Sequence, residues 1–169
     1  MVLQLENVTK LYANGRGAKD ISFALNPGEV LGLLGPNGSG KTTTMKAIAG
    51  LVRINSGRIT VCGIDAINQH EKAMRHTSCL IEAPALYEHM SALKNIQMAA
   101  RFYPHVNEHR ITEVLEIVEM YRYRHDKARS LSLGMRQRIG LAAALLSSPR
   151  LLILDVTIQS TLTQARVSK

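Results

Sequence analysis

The sequence predicts an α/β fold, and three observations carry that prediction. A glycine-rich loop is set between an apolar run and a helix-like pattern. The N-terminal stretch alternates apolar and polar residues as half-buried strands do, and from Ser91 onward the apolar period becomes helical.

The loop comes first because the rest of the chain is arranged around it. Gly35-Pro36-Asn37-Gly38-Ser39-Gly40-Lys41-Thr42 fills the pattern G-x-x-x-x-G-K-[ST], with Val30-Leu31-Gly32-Leu33-Leu34 ahead of it as a feeding strand. Its three glycines allow positive φ, so that backbone N–H groups can approach a polyphosphate, and the helix opening at Lys41 and Thr42, continuing through Thr43, turns its positive end to the same place. Lys41 is the candidate for the β- and γ-phosphates, and the Thr42 hydroxyl for the Mg²⁺ that accompanies a nucleotide. Met45, Ile48 and Ala49 follow at helical spacing. The expectation is therefore a P-loop NTPase core, with an N-terminal antiparallel β region and an inserted α-helical subdomain.

The other elements follow in order. Val2 to Val8 and Asp20 to Leu25 alternate as strands, the second ending at the Asn26-Pro27-Gly28-Glu29 turn. Tyr12 lies between them in a polar loop, where base stacking and a plain surface ring fit equally well. After Gly50 and the Asn55-Ser56-Gly57 turn, the β-branched Arg58 to Cys62 reads as a strand closed by Gly63. Thr77 to Ile81 reads as a short one ending at Glu82 and Pro84. Ser91 is placed to cap a helix carrying Leu93, Ile96 and Ala100, and Asn107 one carrying Ile111, Val114, Leu115 and Val118. A last helix begins near Ser132, carries Leu141, Ala144 and Leu145, and stops before Pro149. Leu151-Leu152-Ile153-Leu154 then runs apolar without interruption into Asp155, as a strand buried on both faces does, and a carboxylate at that tip suits a Mg²⁺ site beside the loop.

At 169 residues, 46% hydrophobic and 20% charged, the chain is long enough for one domain with a core. Ile139 to Leu146 is its longest apolar run, too short for a bilayer span, and the N-terminus reads as neither a leader nor an anchor. Cys62 and Cys79 are expected as buried thiols in a reducing cytosol. A net charge of +8 could suggest nucleic acid, but the basic residues are scattered and two Phe with no Trp offer little stacking surface, so no nucleic-acid partner is expected.

Taken together, Tyr12, Gly35 to Thr42, Leu131-Ser132-Leu133-Gly134-Met135-Arg136-Gln137-Arg138 and Leu151 to Asp155 resemble, in this order, the ATP-binding subunit of ABC transporters. The resemblance covers residues 2 to 155 and implies ATP and Mg²⁺ as ligands. It implies that Tyr12 stacks on adenine, that Lys41 and Thr42 are the Walker A lysine and metal-binding hydroxyl, and that Asp155 is the Walker B aspartate. It also implies that Ser132, Leu133, Gly134 and Met135 form a signature motif acting in trans, the N-terminus of its helix capping the γ-phosphate held by a second ATP-binding domain. The implied partners are that second domain and a multi-span membrane permease, with the protein peripheral at the cytoplasmic face of the cell membrane. The implied division is a nucleotide-binding domain over residues 1–155, with 1–82 and 149–155 as the core and about 83–148 as the helical subdomain.

Glu82 stands where most of the family has the glutamine that senses Mg²⁺ and contacts the membrane subunit. Together with Leu133 and Met135, it resembles the bacitracin-resistance and lantibiotic-immunity branch, which implies export of a peptide antibiotic. The main departure is that Val156 follows Asp155 where the family has its catalytic glutamate. Residues 156–169 resemble neither the family's following loop and strand nor its switch histidine. A truncated or frameshifted copy is expected, lacking hydrolysis; an error in the sequence would look the same. In the family's sheet, a strand from that region lies between the loop's feeding strand and the Walker B strand. Two other readings compete: a soluble P-loop ATPase or kinase not tied to a membrane, and a zinc hydrolase through His105-Val106-Asn107-Glu108-His109, which spells H-x-x-E-H. If Asn107 is the helix cap, His105 falls outside the helix that holds His109, which argues against the zinc site.

Overall fold

The computed structural model describes residues 1–155. Six strands form among them: β1 (Leu3–Leu11), β2 (Gly17–Leu25), β3 (Ser56–Val61), β4 (Ile64–Asp65), β5 (Thr77–Leu80) and β6 (Leu151–Leu154). The helices are α1 (Lys41–Ile48), α2 (His70–Met74), α3 (Ala92–Ala100), α4 (Glu108–Ile117) and α5 (Leu133–Leu145). β1 to β4 make an antiparallel sheet in the order β2-β1-β3-β4, while β5 and β6 pair in parallel with Leu80 opposite Leu154. The short β4 and α2 lie between Gly63 and Thr77, where two residues and a single turn are too short for any periodicity to announce them.

The alternation of β1 shows in its burial. Leu3, Leu5 and Val8 face inward against Ile59 and Val61 of β3, Met45 and Ile48 of α1, and Leu151 and Ile153 of β6. Asn7 and Asp20 take positive φ where the β1–β2 register shifts, and the Asn7 side chain donates to Asp20 across that irregularity. A second cluster gathers Ile96 of α3, Ile111, Val114 and Leu115 of α4, and Ile139, Ala142 and Leu146 of α5 with its C-cap. The expected caps form: Ser91, Asn107 and Ser132 accept from the backbone N–H of Lys94, Arg110 and Met135.

Three expectations are corrected. Val30 to Leu34 forms no strand: Val30 is 98% exposed and Leu34 92%, because no strand among the described residues pairs with this segment, and an apolar run without a ladder partner is not a strand. A cavity of about 560 Å³ instead opens between residues 30–33 and β6, where the family's intervening strand was expected. For the same reason β6 is not buried on both faces; Leu151 and Ile153 are buried, but Leu152 and Leu154 only partly. The cysteines are not buried either, Cys62 being half-buried and Cys79 exposed, since Ser78 is the β5 residue that turns inward beside it. On α5 the deepest residues are Ile139, Ala142 and Leu146, one helical face round from Leu141, Ala144 and Leu145. The expectations for Val156 and for 157–169 lie outside the described residues.

Candidate nucleotide site

The loop from Gly35 to Gly40 is solvent-facing and leads directly into α1. Gly40 is the N-cap at φ +92, a region an L side chain rarely adopts, and a Cβ there would meet the Gly17 carbonyl oxygen at 2.6 Å. That contact seats the loop on the start of β2, the strand that follows the Tyr12 loop. No side chain caps α1 and its first turn carries no acid, so its N–H groups and positive end are available to an anionic ligand. Lys41 Nζ donates to the carbonyl oxygens of Gly35 and Pro36 at 2.7 and 2.8 Å, holding the ammonium inside the curl of the loop. Ser39 closes a turn onto Pro36, and Thr44 bonds back to the Gly40 carbonyl, fixing the first helical turn.

β5 and β6 bring two acids to this helix. The Thr42 hydroxyl donates to Asp155 Oδ2 at 2.8 Å, and the Asp155 N–H donates to the Leu80 carbonyl, extending the parallel ladder one residue beyond β6. Glu82 lies two residues past β5 at φ +76, and its Oε1 accepts from Lys46 Nζ at 2.7 Å. The ammonium beside it holds the Glu82 carboxyl below the usual carboxylate range, and Glu82 in turn raises Lys46 above its ordinary value. Thr42 and Asp155 thus meet at the carboxyl end of β6 beside a helix N-terminus, the place where open α/β sheets take ligands, while Glu82, past the neighbouring end of β5, is held one turn further along α1 by Lys46. Hard oxygen donors of this kind suit Mg²⁺, and the uncapped helix suits a polyphosphate.

Tyr12 is partly exposed in the loop joining β1 to β2, with Lys10 Nζ 5.0 Å from its ring centre; Thr43 is half-buried on the first turn of α1. Ser132, Leu133 and Gly134 are exposed at the start of α5, and Met135 is half-buried. Arg136 braces that corner by donating to the carbonyls of Leu131 and Arg129. Sequence reasoning missed Lys46, although its position four residues after Thr42 puts the two on one helical stripe and was a usable signal. His105 lies before α4 and packs its ring near Tyr103, whereas His109 is inside the helix, and the described residues contain no metal-binding cluster of three His, Cys, Asp or Glu. No described helix is long and apolar enough to cross a membrane.

The family model described as ABC transporter matches residues 18–158. An uncharacterized ABC transporter ATP-binding protein of Bacillus subtilis (strain 168), YhcH, is 44% identical over 154 residues, 91% of this chain and 50% of the relative. The linearmycin resistance ATP-binding protein LnrL of the same organism is 40% identical over 157 residues, and the bacitracin transport ATP-binding protein BcrA of Bacillus licheniformis 33% over 154; each comparison takes in 91% of this chain and 50% of the relative. The chain thus spans about half the length of these curated relatives. Among solved structures, an ATP-binding subunit of an ABC transporter superposes with a TM-score of 0.79 at 28% identity, over 92% of this chain and 66% of that one. The Walker A loop, the Thr42–Asp155 pair and these likenesses agree: the chain belongs to the ABC transporter ATP-binding family.

Proposed function

We propose that the chain binds ATP with Mg²⁺ and serves as the ATP-binding part of an ABC exporter, peripheral at the cytoplasmic face of the membrane. The observation that carries this reading is the 2.8 Å bond from Thr42 to Asp155, which closes the phosphate loop onto the end of β6. In this reading the backbone of Gly35 to Gly40 and the ammonium of Lys41 bind the phosphates, Thr42 and Asp155 hold the metal with Glu82 beside them, and Tyr12 stacks on the base. Mg²⁺, when bound, neutralises phosphate charge. Ser132 to Met135 cap the nucleotide of a second copy through the exposed N-terminus of α5. Residues 1–82 and 149–155 act as the nucleotide-binding core and 83–148 as the arm that presents the signature. The names of LnrL and BcrA support a peptide or other antibiotic as cargo.

The membrane subunit is assigned to the face running on from Glu82. There the Leu86–Tyr87 loop and α3 enclose an apolar groove of about 280 Å³, with Phe102 83% exposed at its rim, which suits a short amphipathic helix.

Lys41→Ala tests the nucleotide reading. The substitution removes a charge-assisted contact worth about 1.5–3 kcal/mol, so ATP affinity measured by calorimetry is expected to fall roughly ten-fold or more. Unchanged affinity would take the loop out of the site.

A further inference from the structure

Two acids end neighbouring parallel strands here, and α1 holds each by a different kind of donor. Asp155 receives a neutral hydroxyl from Thr42, a group that can share a metal with it. Glu82 receives the ammonium of Lys46, which cannot: a metal cation and an ammonium compete for the same carboxylate oxygen. Thr42 and Lys46 lie one turn apart on one face of α1, so both contacts look toward the same corner. Glu82 meets Lys46 with its backbone at φ +76, in the left-handed region that non-glycine residues adopt uncommonly. Among the described residues neither side chain makes another ion pair. Both remain open to solvent, with 31% of the Lys46 side chain and 67% of the Glu82 side chain exposed, so the contact can exchange without unpacking the core.

We propose that Lys46 is a latch on Glu82: it holds the carboxylate against α1, away from the metal position, and so sets how much divalent cation the protein needs to bind nucleotide. The latch rests on reading Glu82 as facing the metal. Lys46 acts through Glu82 and is a positioning residue. Because the pair is partly exposed, its effect is modest.

The test is a Mn²⁺ titration of fluorescent ATP-analogue binding to the native protein, Lys46→Met, Glu82→Gln and the double variant, with Lys46→Arg as the charge-preserving control. Lys46→Met is expected to lower the half-saturating Mn²⁺ about two- to five-fold, Glu82→Gln to raise it, and Lys46→Met to have no further effect once residue 82 is Gln. Lys46→Arg should keep the native requirement. Equal shifts from Lys46→Met in both backgrounds would show an effect of general charge and overturn the latch, as would no shift beside a working Glu82→Gln effect. An unmoved Glu82→Gln strikes the metal reading of Glu82 itself, and the latch with it.

Discussion

Thr42 and Asp155 stand 113 positions apart in the chain and 2.8 Å apart in space, and that one contact turns a loop motif into a site. The loop alone is legible because G-x-x-x-x-G-K-[ST] is a spaced pattern of side-chain types: glycines where φ is positive, and the lysine and hydroxyl that the proposed reading gives to phosphate and metal. Glu82 is legible only through the family resemblance, and Lys46 not at all, because an exposed lysine is common and only its meeting with Glu82 distinguishes it. Asp155 gives the residue-scale prediction. Asp155→Asn keeps the shape and an acceptor for Thr42 but removes the carboxylate charge, so nucleotide affinity in Mg²⁺ is expected to fall about ten-fold or more while affinity in EDTA stays put. Equal losses in Mg²⁺ and in EDTA would mean that Asp155 supports the loop and not the metal.

At the scale of elements, α5 carries Ser132 to Met135 at one end and packs on β5 and on the loop after Glu82 along its side. Gly140 permits that approach: a Cβ there would lie 2.7 Å from Pro84 Cβ and 3.0 Å from its Cγ, atoms of a ring that cannot rotate away as a flexible side chain does. Asn95 of α3 pins the same loop from the other side, accepting from the Tyr87 N–H and donating to the carbonyls of Tyr87 and Ser91. Gly140→Ala is therefore expected to destabilise by about 1–3 kcal/mol, despite the higher helix propensity of alanine. Urea unfolding checks it, and a variant as stable as the native protein would mean that α5 does not need this close approach. Helix starts were readable from Ser91, Asn107 and Ser132, whose oxygens satisfy the first N–H groups by a local rule. The face that α5 buries was not, since its residues are apolar nearly all round and only the neighbours α3, α4 and β5 choose among them.

For the whole molecule, the proposed reading needs two copies, because a signature that caps the γ-phosphate of another subunit completes nothing alone. ATP with Mg²⁺ is expected to shift the protein to a dimer in sedimentation. Ser132→Phe should return it to a monomer while leaving ATP affinity per subunit within about two-fold. A Ser132→Phe protein that still dimerises with ATP would remove the signature from the interface. The dimer is also expected to release no phosphate above background: Val156, which follows Asp155 in the sequence, can neither accept a proton nor orient water, groups that contribute ~100- to 10,000-fold to rate. By itself the sequence determined the α/β class, the glycine-rich loop ahead of α1, the helix caps and the family, because each is written in side-chain type at short spacing. Tertiary structure alone decided that Val30 to Leu34 is not a strand, that β6 is buried on one face, and that Lys46 holds Glu82. A strand exists only where another strand accepts its hydrogen bonds, and an ion pair only where two distant segments meet; neither partner is encoded in the segment that needs it.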